Sequence, residues 1–439
     1  MPNLPKGSKK LLNAWAFYDW ANSVYSLVIA SAIFPIYYQA LFKSSDITAV
    51  SILGGAIRST PLISYTTAAA FLLVAFISPL LSGIADYVGN KKNFMKFFCY
   101  LGAVSCMGLY FFSIEHIEIS LVFYFFGLIG FWGSLVFYNS YLPDVAFPEQ
   151  QDRVSARGYS LGYIGSVILL LFNLGMVMFP YYFGFGDGEG ASMEAMRWSF
   201  VSVGIWWIVF SQYSFYFLPK GNKSGKKVST KILLNGFREL KSVYRSLSGN
   251  VRLKRYLAAF FVYSMAVQTV MLVATYFGEQ EIAWGSADAK LMGLIVSILI
   301  IQLVAVLGAI LTSRASEKFG NIQVLIVINI IWVCICVFAY FIEAPIQFYA
   351  TAGVVGLVMG GIQSLSRSTY SKFLPDTKDT TSYFSFYDVA EKIGIVIGML
   401  IYGFIDQITG SMRNSILFLV LFFMTGVFLL ARVPRNKKH

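Results

Sequence analysis

The feature that most constrains this chain is a series of long apolar segments that recur along almost its whole length. An α-helix needs about 20 predominantly apolar residues to cross the hydrocarbon core of a bilayer. Because a bilayer accepts only helices and closed barrels, the sequence predicts an all-α polytopic membrane protein with twelve transmembrane helices. The predicted segments are 13–42, 62–85, 93–113, 119–142, 155–183, 197–218, 254–280, 289–312, 321–342, 346–371, 382–407 and 413–432.

The composition excludes an ordinary soluble domain. Hydrophobic residues make up 57% of the 439 residues and charged residues only 13%, whereas a soluble domain has roughly 25% charged residues. A soluble fold of this size could not bury so much apolar surface, because its own surface must face water.

The net charge of +12 is distributed unevenly over the predicted loops. Residues 220–255 alone contain eleven Lys or Arg, whereas the loops on the opposite side hold few basic residues beside several acids. Short loops rich in Lys and Arg stay in the cytoplasm. We therefore expect both termini to be cytoplasmic, which agrees with an even helix count, and we expect contact with lipid rather than with nucleic acid.

Two short patterns recur at an offset of about 231 residues. Residues 82–90 and 313–321 share an acid, Gly and Asn in register, and Leu-Pro-Asp occurs at 142–144 and at 374–376. Six predicted helices separate the copies, so both halves have the same orientation. Parallel six-helix repeats are the architecture of the major facilitator superfamily. The predicted organisation is an N-terminal bundle at 1–219, a basic cytoplasmic linker at 220–253 and a C-terminal bundle at 254–439.

The loop after the second predicted helix resembles the signature loop of that superfamily. It contains Gly83, Asp86 and Gly89, followed by Lys91 and Lys92. The glycines allow a tight reversal, and the Asp can accept hydrogen bonds from helix N-terminal amides or basic groups. The resemblance implies a latch on the cytoplasmic side, and the alternative is a generic turn with lysines at the membrane surface.

Three regions carry a narrower resemblance to a known family. They are Tyr18–Tyr25, Leu142–Asp144 with Arg153–Tyr163 in the loop after helix 4, and Gly360–Ser368 with Phe384–Val389. These segments resemble the autophagy-linked vacuolar amino-acid effluxer family and its bacterial relatives. The resemblance implies an efflux-type facilitator, with amino acids as the best-known substrate class of the family.

Polar residues occupy one face of the first predicted helix. Trp15, Asp19, Asn22 and Ser26 are spaced i, i+4, i+7 and i+11, which places them in one stripe. A charge at the membrane centre costs about 2.5–3.5 kcal/mol even on lenient scales, so such a stripe faces a bundle interior or water. We expect Asp19, Asn22 and Ser26 to line a substrate or proton pathway; the alternative is a structural Asp bonded to a neighbouring helix end.

Three amide side chains are further candidates for substrate contact. Asn139, Gln268 and Gln363 lie in predicted helices 4, 7 and 10, which line the pathway in the resembled fold. An ordinary interhelical hydrogen bond is the alternative for each of them.

A second group of charges lies on the eleventh predicted helix. Asp388 and Lys392 are i, i+4 neighbours that can pair, and Glu391 lies beside them. Arg367, in the last turns of helix 10, has a fork geometry that suits a carboxylate, and Asp19, Asp388 and Glu391 are its three candidate partners. The predicted cytoplasmic gate consists of Asp86, Arg157, Arg367, Asp388, Glu391 and Lys392.

Residues for enzymatic chemistry are scarce. The two histidines are His116, in a predicted outer loop, and His439, the last residue. The run 221–227 has one residue too few for a phosphate-binding loop and lacks the Ser or Thr after Lys. The sequence therefore predicts no enzyme, no catalytic residue, no metal and no cofactor.

The sequence as a whole favours a secondary active or facilitative transporter of small solutes that works by alternating access. We expect an exporter of amino acids or similar polar metabolites, driven by a solute or proton gradient, that is a monomer in a bacterial plasma membrane. Two alternatives are a lipid or amphiphile transporter of the same fold and a receptor that binds a solute without moving it.

Overall fold

The structure is a computed structural model that describes residues 4–45, 47, 49–52, 55–220, 238, 241–247 and 249–434. Its main elements are helices, most of them long enough to cross a bilayer. They are Lys9–Val24 (α1), Ile33–Ser44 (α2), Ser59–Val88 (α3), Lys91–Gly108 (α4), Ile117–Asn139 (α5), Leu142–Val145 (α6), Pro148–Met178 (α7), Glu189–Phe217 (α8), Val251–Glu281 (α9), Ala287–Phe319 (α10), Asn321–Ala339 (α11), Pro345–Phe373 (α12), Thr380–Thr409 (α13) and Met412–Ala431 (α14).

Eleven helical segments of the described chain are long and apolar enough to cross a membrane, which confirms the predicted all-α membrane fold. The first of these segments, 9–43, combines α1, α2 and the turn between them. The 30-residue helix α13 is a further long helix, and it packs against α3, α9 and α14. It coincides with the predicted eleventh helix. The cytoplasmic location of the termini stays a prediction.

Three helices extend beyond the predicted segments by more than four residues. α7 begins at Pro148 rather than at 155, α8 begins at Glu189 rather than at 197, and α10 ends at Phe319 rather than at 312. The additional turns of these helices contain polar residues. Hydropathy assigns such residues to loops, although here they continue the helix. Residues 148–154 were expected in a loop and lie instead within α7.

The first membrane segment is irregular at its centre. Residues Tyr25–Ala32 form a π-helical turn between α1 and α2, and Ser31 Oγ donates to the Ser26 carbonyl at 2.9 Å. Such wide turns occur mostly as single interruptions of α-helices, often at functional sites. A short antiparallel hairpin of Ala49–Ile52 (β1) and Gly55–Arg58 (β2), with Ala49 opposite Arg58, follows α2. Neither feature was predicted.

Two turns of the repeat are built on glycines with positive φ. Gly89 has φ +67° between α3 and α4, and Gly320 has φ +84° between α10 and α11. The expected tight reversal is therefore limited to two residues after α3, and residues 82–88 lie in the last turns of that helix rather than in a loop.

Helices α10 and α12 approach each other through small residues. A Cβ on Gly360 would lie 2.0 Å from the Ala305 carbonyl oxygen, and one on Gly308 would lie 2.0 Å from the Leu357 carbonyl oxygen. Small residues at such contacts let helix backbones meet closely within a membrane. α12 is thus held tightly against α10.

The buried apolar residues form two clusters. One takes its side chains from 11–218, and the other takes them from 243–433 together with Tyr163 of α7. Two separate cores are what a two-bundle organisation requires. The predicted boundary at 220–253 stays a prediction, because most of this stretch, with the run 221–227, lies outside the described residues.

The α10–α12 contact leads to a stability prediction. Gly360→Ala places a methyl group against a backbone carbonyl, and such overpacking costs typically 1–3 kcal/mol. We expect a lower melting temperature for the purified protein in detergent. Gly353→Ala on the same helix is the matched control, because the nearest atom there is a side-chain methyl of Ile300 at 3.9 Å. Equal melting temperatures for the two variants would show that the contact is not tight.

Candidate functional site

Arg367 is buried six residues before the end of α12, with 2% of its surface exposed. The segment around it is rich in Gly and Ser, so neighbouring helices lie close while room is left for one long side chain. A guanidinium cannot be deprotonated in proteins. Its burial therefore requires an anion and several hydrogen-bond acceptors nearby.

The acceptors come from helices of the other half of the chain. Nη2 of Arg367 donates to Oδ2 of Asp19 at 3.1 Å, Nε donates to Oγ of Ser155 at 3.0 Å, and Nη1 donates to Oδ1 of Asn139 at 3.2 Å. These partners lie on α1, α7 and α5 respectively. Each nitrogen of the guanidinium thus holds a helix of the first half.

Three aromatic rings surround the same guanidinium. Its central carbon lies 4.8 Å from the ring centroid of Trp15, 5.4 Å from that of Tyr138 and 4.2 Å from that of Tyr159. A cation over an aromatic face is attracted by the ring quadrupole, more strongly where water is excluded. The rings therefore add to the stabilisation that Asp19 provides.

Asp19 is fixed from two further sides. The hydroxyl of Tyr138 donates to Oδ2 of Asp19 at 2.8 Å, and a Cβ on Gly158 would lie 2.4 Å from the same oxygen. The carboxylate thus fits between α1 and α7 because position 158 has no side chain. Of the three candidate partners for Arg367, the structure selects Asp19.

Asp86, at the end of α3, contacts the beginning of α13. Its carboxylate accepts from the backbone N–H and the hydroxyl of Ser382 at 2.7 and 2.8 Å, and from the N–H of Thr381 at 3.3 Å. The first amides of a helix lack intrahelical partners and attract anions. Asp86 therefore caps a helix of the opposite half.

Two further contacts join the halves at the same end. Nζ of Lys91 lies 2.5 Å from Oδ2 of Asp144 and donates to Oγ1 of Thr380 at 3.0 Å. Asp152, at the start of α7, pairs with Lys372 at 2.5 Å and accepts from Ser316 at 2.8 Å. We call the contacts Asp86–Ser382, Lys91–Thr380 and Asp152–Lys372 the inner latch, because they lie on the side predicted to be cytoplasmic.

The charges of α13 form a separate group. Lys392 pairs with Asp388 within the helix, and its Nζ lies 4.2 Å from the ring centroid of Trp132 of α5. Glu391 accepts from Nε2 of Gln268 at 2.8 Å. We call Asp388, Glu391 and Lys392 the α13 charge cluster.

The remaining candidates are spread over several places. The hydroxyl of Tyr163 donates to Oε1 of Gln363 at 2.7 Å across the two halves. Ser26 donates to the Ser23 carbonyl of its own helix at 3.0 Å, and Asn22 is buried beside it. Arg157 is exposed and makes no ion pair with any described residue.

The six residues of the predicted cytoplasmic gate therefore lie in several places rather than in one cluster, and their role as a gate stays a prediction. Asp86 belongs to the inner latch, Arg367 pairs with Asp19, and Asp388, Glu391 and Lys392 lie together on α13. The difference arises because helix crossings, rather than positions along each helix, decide which charges meet. Asp152 was missed because its segment was assigned to a loop. Among the described residues, no group of three His, Cys, Asp or Glu side chains is placed to hold a metal ion.

Comparison with known proteins shows the family to which the chain belongs. Residues 7–439 match a family model described as "Vacuole effluxer Atg22 like". The chain belongs to the Atg22-like family. It is 32% identical over 430 residues to the "Uncharacterized MFS-type transporter YxiO" of Bacillus subtilis (strain 168), with 97% of this chain and 95% of that protein covered.

More distant relatives extend the comparison of this Atg22-like chain. It is 23% identical over 491 residues to Autophagy-related protein 22-2 of Neosartorya fischeri, with 89% of this chain and 76% of that protein covered. Among solved structures, the major facilitator superfamily transporter FucP in the outward conformation is similar with a TM-score of 0.69 at 15% identity, covering 97% and 99% of the two chains. The proton:xylose symporter XylE gives a TM-score of 0.68 at 13% identity, covering 98% and 96%. The Atg22-like chain thus has the major facilitator fold and is a membrane transport protein by family.

The buried pair leads to a prediction on stability. Removing one partner of a buried ion pair costs roughly 3–5 kcal/mol, because the other charge stays uncompensated. We expect Asp19→Asn and Arg367→Met each to lower the melting temperature, and the double variant to lower it by less than the sum. Thermal melting of the four proteins in detergent measures this coupling. Strictly additive losses would mean that the two side chains do not stabilise each other.

Proposed function

We propose that this protein moves small polar solutes across the membrane by alternating access, as an exporter of amino acids or similar polar metabolites. In this mechanism one six-helix bundle rocks against the other around a site near the membrane midplane. The inner latch and the Arg367–Asp19 pair then close the passage on the inner side and must separate when it opens inward.

The observation that carries the proposal is the buried ion pair between Arg367 of α12 and Asp19 of α1. Charged residues within membrane helices usually face the bundle interior or a watery cavity and mark a pathway. Apolar side chains of similar volume could stabilise the protein as well as a buried ion pair does, so stability alone does not explain the pair. An ion pair that joins the two halves has a further property, because its two charges can separate when water enters between the halves.

Neighbouring polar groups support a polar solute rather than a lipid. Asn139, Gln268, Gln363 and Glu391 lie around the junction of the halves and are each half-buried. An apolar cavity that admits acyl chains would lack such groups. The amide and carboxylate groups suit a solute that both donates and accepts hydrogen bonds.

The family supports the proposed substrate class. Its description names a vacuole effluxer, and the sequence motifs resemble the amino-acid effluxers of that family. Export from the cytoplasm across a bacterial plasma membrane is our own proposal for the direction. The basic stretch 220–255 is expected to face the cytoplasm and so concerns the orientation of the chain in the membrane.

A flux measurement tests the proposal. In proteoliposomes preloaded with a mixture of unlabelled amino acids, we expect the wild-type protein to exchange external labelled amino acids above the protein-free level. Arg367→Lys keeps the charge but loses the planar fork that holds Ser155, Asn139 and Asp19 together. We expect its exchange rate to fall by about tenfold or more, which corresponds to about 1.4 kcal/mol.

A matched control separates this effect from general damage. Leu400→Ala changes an exposed position of α13 and is expected to leave exchange unchanged. If the wild type exchanges no amino acid but transfers a labelled phospholipid between leaflets, the lipid alternative replaces the proposal. If it binds amino acids without exchange, the receptor alternative does.

The inner latch gives a second test. Asp86→Ala removes three hydrogen bonds to the start of α13, which shifts the equilibrium toward the state open on the inner side. A membrane-impermeant maleimide applied from that side is expected to label Ser364→Cys severalfold faster in this variant, in a background in which the exposed Cys334 is replaced by Ser. Glu118→Ala, an exposed acid at the other end of the molecule, is the control. An unchanged labelling rate would contradict a latch role for Asp86.

A further inference from the structure

The α13 charge cluster has more negative than positive groups. Asp388 and Glu391 supply two carboxylates, and Lys392 supplies one ammonium, so the fully ionised cluster has a net charge of −1. An uncompensated charge is costly within a membrane helix. One additional cation would neutralise the cluster.

Asp388 has a free position for that cation. The side chain is buried, with 5% exposed, and its Oδ1 accepts from Lys392. Its Oδ2 is also buried and has no partner at hydrogen-bond geometry, and the hydroxyl of Ser78 of α3 lies beside the same carboxylate. Nearly all buried polar atoms have such a partner, so this oxygen is placed to take one up.

The groups that face the cluster from neighbouring helices are neutral. Around it lie Ser78 of α3, Trp132 of α5, Tyr159 of α7, and Tyr263 and Gln268 of α9. Helix α14 has one charged residue, Arg413, in its first turn. Arg413 pairs with Glu281 at the end of α9 and not with the cluster. No described neighbour therefore supplies the missing positive charge.

We propose that Asp388 of the α13 charge cluster binds a proton on Oδ2 and that this proton is coupled to transport. The inference rests on the proposed transport function and adds its driving ion. Asp19 is the weaker candidate for the same role, because its carboxylate is already compensated by Arg367 and bonded by Tyr138. A proton rather than a metal ion fits Asp388, because one free buried oxygen beside an ammonium provides no set of ligands.

The position of Trp132 links this proton to the movement of the halves. Trp132 belongs to the first half and lies over the ammonium of Lys392, which belongs to the second. When the halves separate, the ring leaves Lys392, water reaches the cluster, and the affinity of Asp388 for a proton changes. A proton that binds from the outer solution and leaves to the inner one thereby drives a solute outward.

Infrared spectroscopy of the protein reconstituted in lipid tests the proton site without any substrate. The probe is the proton itself, followed by the carbonyl stretch of protonated carboxyl groups during a pH titration. Among the titrating carboxyl bands of the wild type, we expect one that is lost in Asp388→Asn and shifted in Asp388→Glu. Glu391→Gln is expected to keep the band, and a band that is unchanged in Asp388→Asn overturns the proposal.

A folding control is needed because Asp388→Asn leaves Lys392 buried without its anion. The double variant Asp388→Asn with Lys392→Met removes both charges of the pair and keeps the site neutral. We expect it to be monodisperse in detergent and to lack the same infrared band. If this folded variant retains the band, Asp388 is not the site.

Flux separates a failure of this inference from a failure of the proposed function. With the labelled amino-acid mixture, Asp388→Asn and the double variant are expected to retain exchange but to lose accumulation driven by a pH gradient. Gradient-driven accumulation that survives in both variants overturns the proton site while transport stands. Absence of exchange in the wild type overturns the transport proposal, and the infrared titration still decides whether Asp388 binds a proton.

Discussion

The buried guanidinium of Arg367 is the constraint on which the arrangement of the two halves depends. Arginine cannot escape burial by losing its proton, so the surrounding helices have to supply a carboxylate, further acceptors and polarisable rings. They do so from α1, α5 and α7, all of them in the first half, whereas Arg367 belongs to the second. A single side chain thus holds three helices of the opposite half in one relative position.

Small residues make that concentration of contacts geometrically feasible. Gly158 leaves room for the carboxylate of Asp19, and Gly360 lets the backbone of α12 meet that of α10. Apolar side chains at these positions would push the helices apart and take Arg367 out of reach of its partners. Because lipid supplies no hydrophobic force between helices, close packing and hydrogen bonds have to hold them together. The glycines are therefore part of the site even though they contribute no functional group.

Hydropathy was sufficient to predict the helical membrane fold, because it is a local property of the sequence. The depth of Arg367 and the stripe that contains Asp19 were also visible in single helices. Their pairing was not, since Asp19, Asp388 and Glu391 all satisfied the same local criteria and only the helix crossings distinguish them. Asp152 was overlooked for a related reason. Pro148 marks a helix start, but the polar turns that follow it have the hydropathy of a loop.

Helix α13 connects the latch to the charge cluster. Ser382, which bonds Asp86, and Asp388 are six residues apart on this one helix, or about 9 Å at 1.5 Å per residue. If this stretch of α13 moves as a rigid body, release of its first turn from Asp86 would shift Lys392 relative to Trp132. In the other direction, the proposed proton on Asp388 would weaken its attraction for Lys392 and free the ammonium to move. In the proposed cycle, the capping of the start of α13 and the charge state of Asp388 would thus both act on one movement of this helix, without contact with the solute.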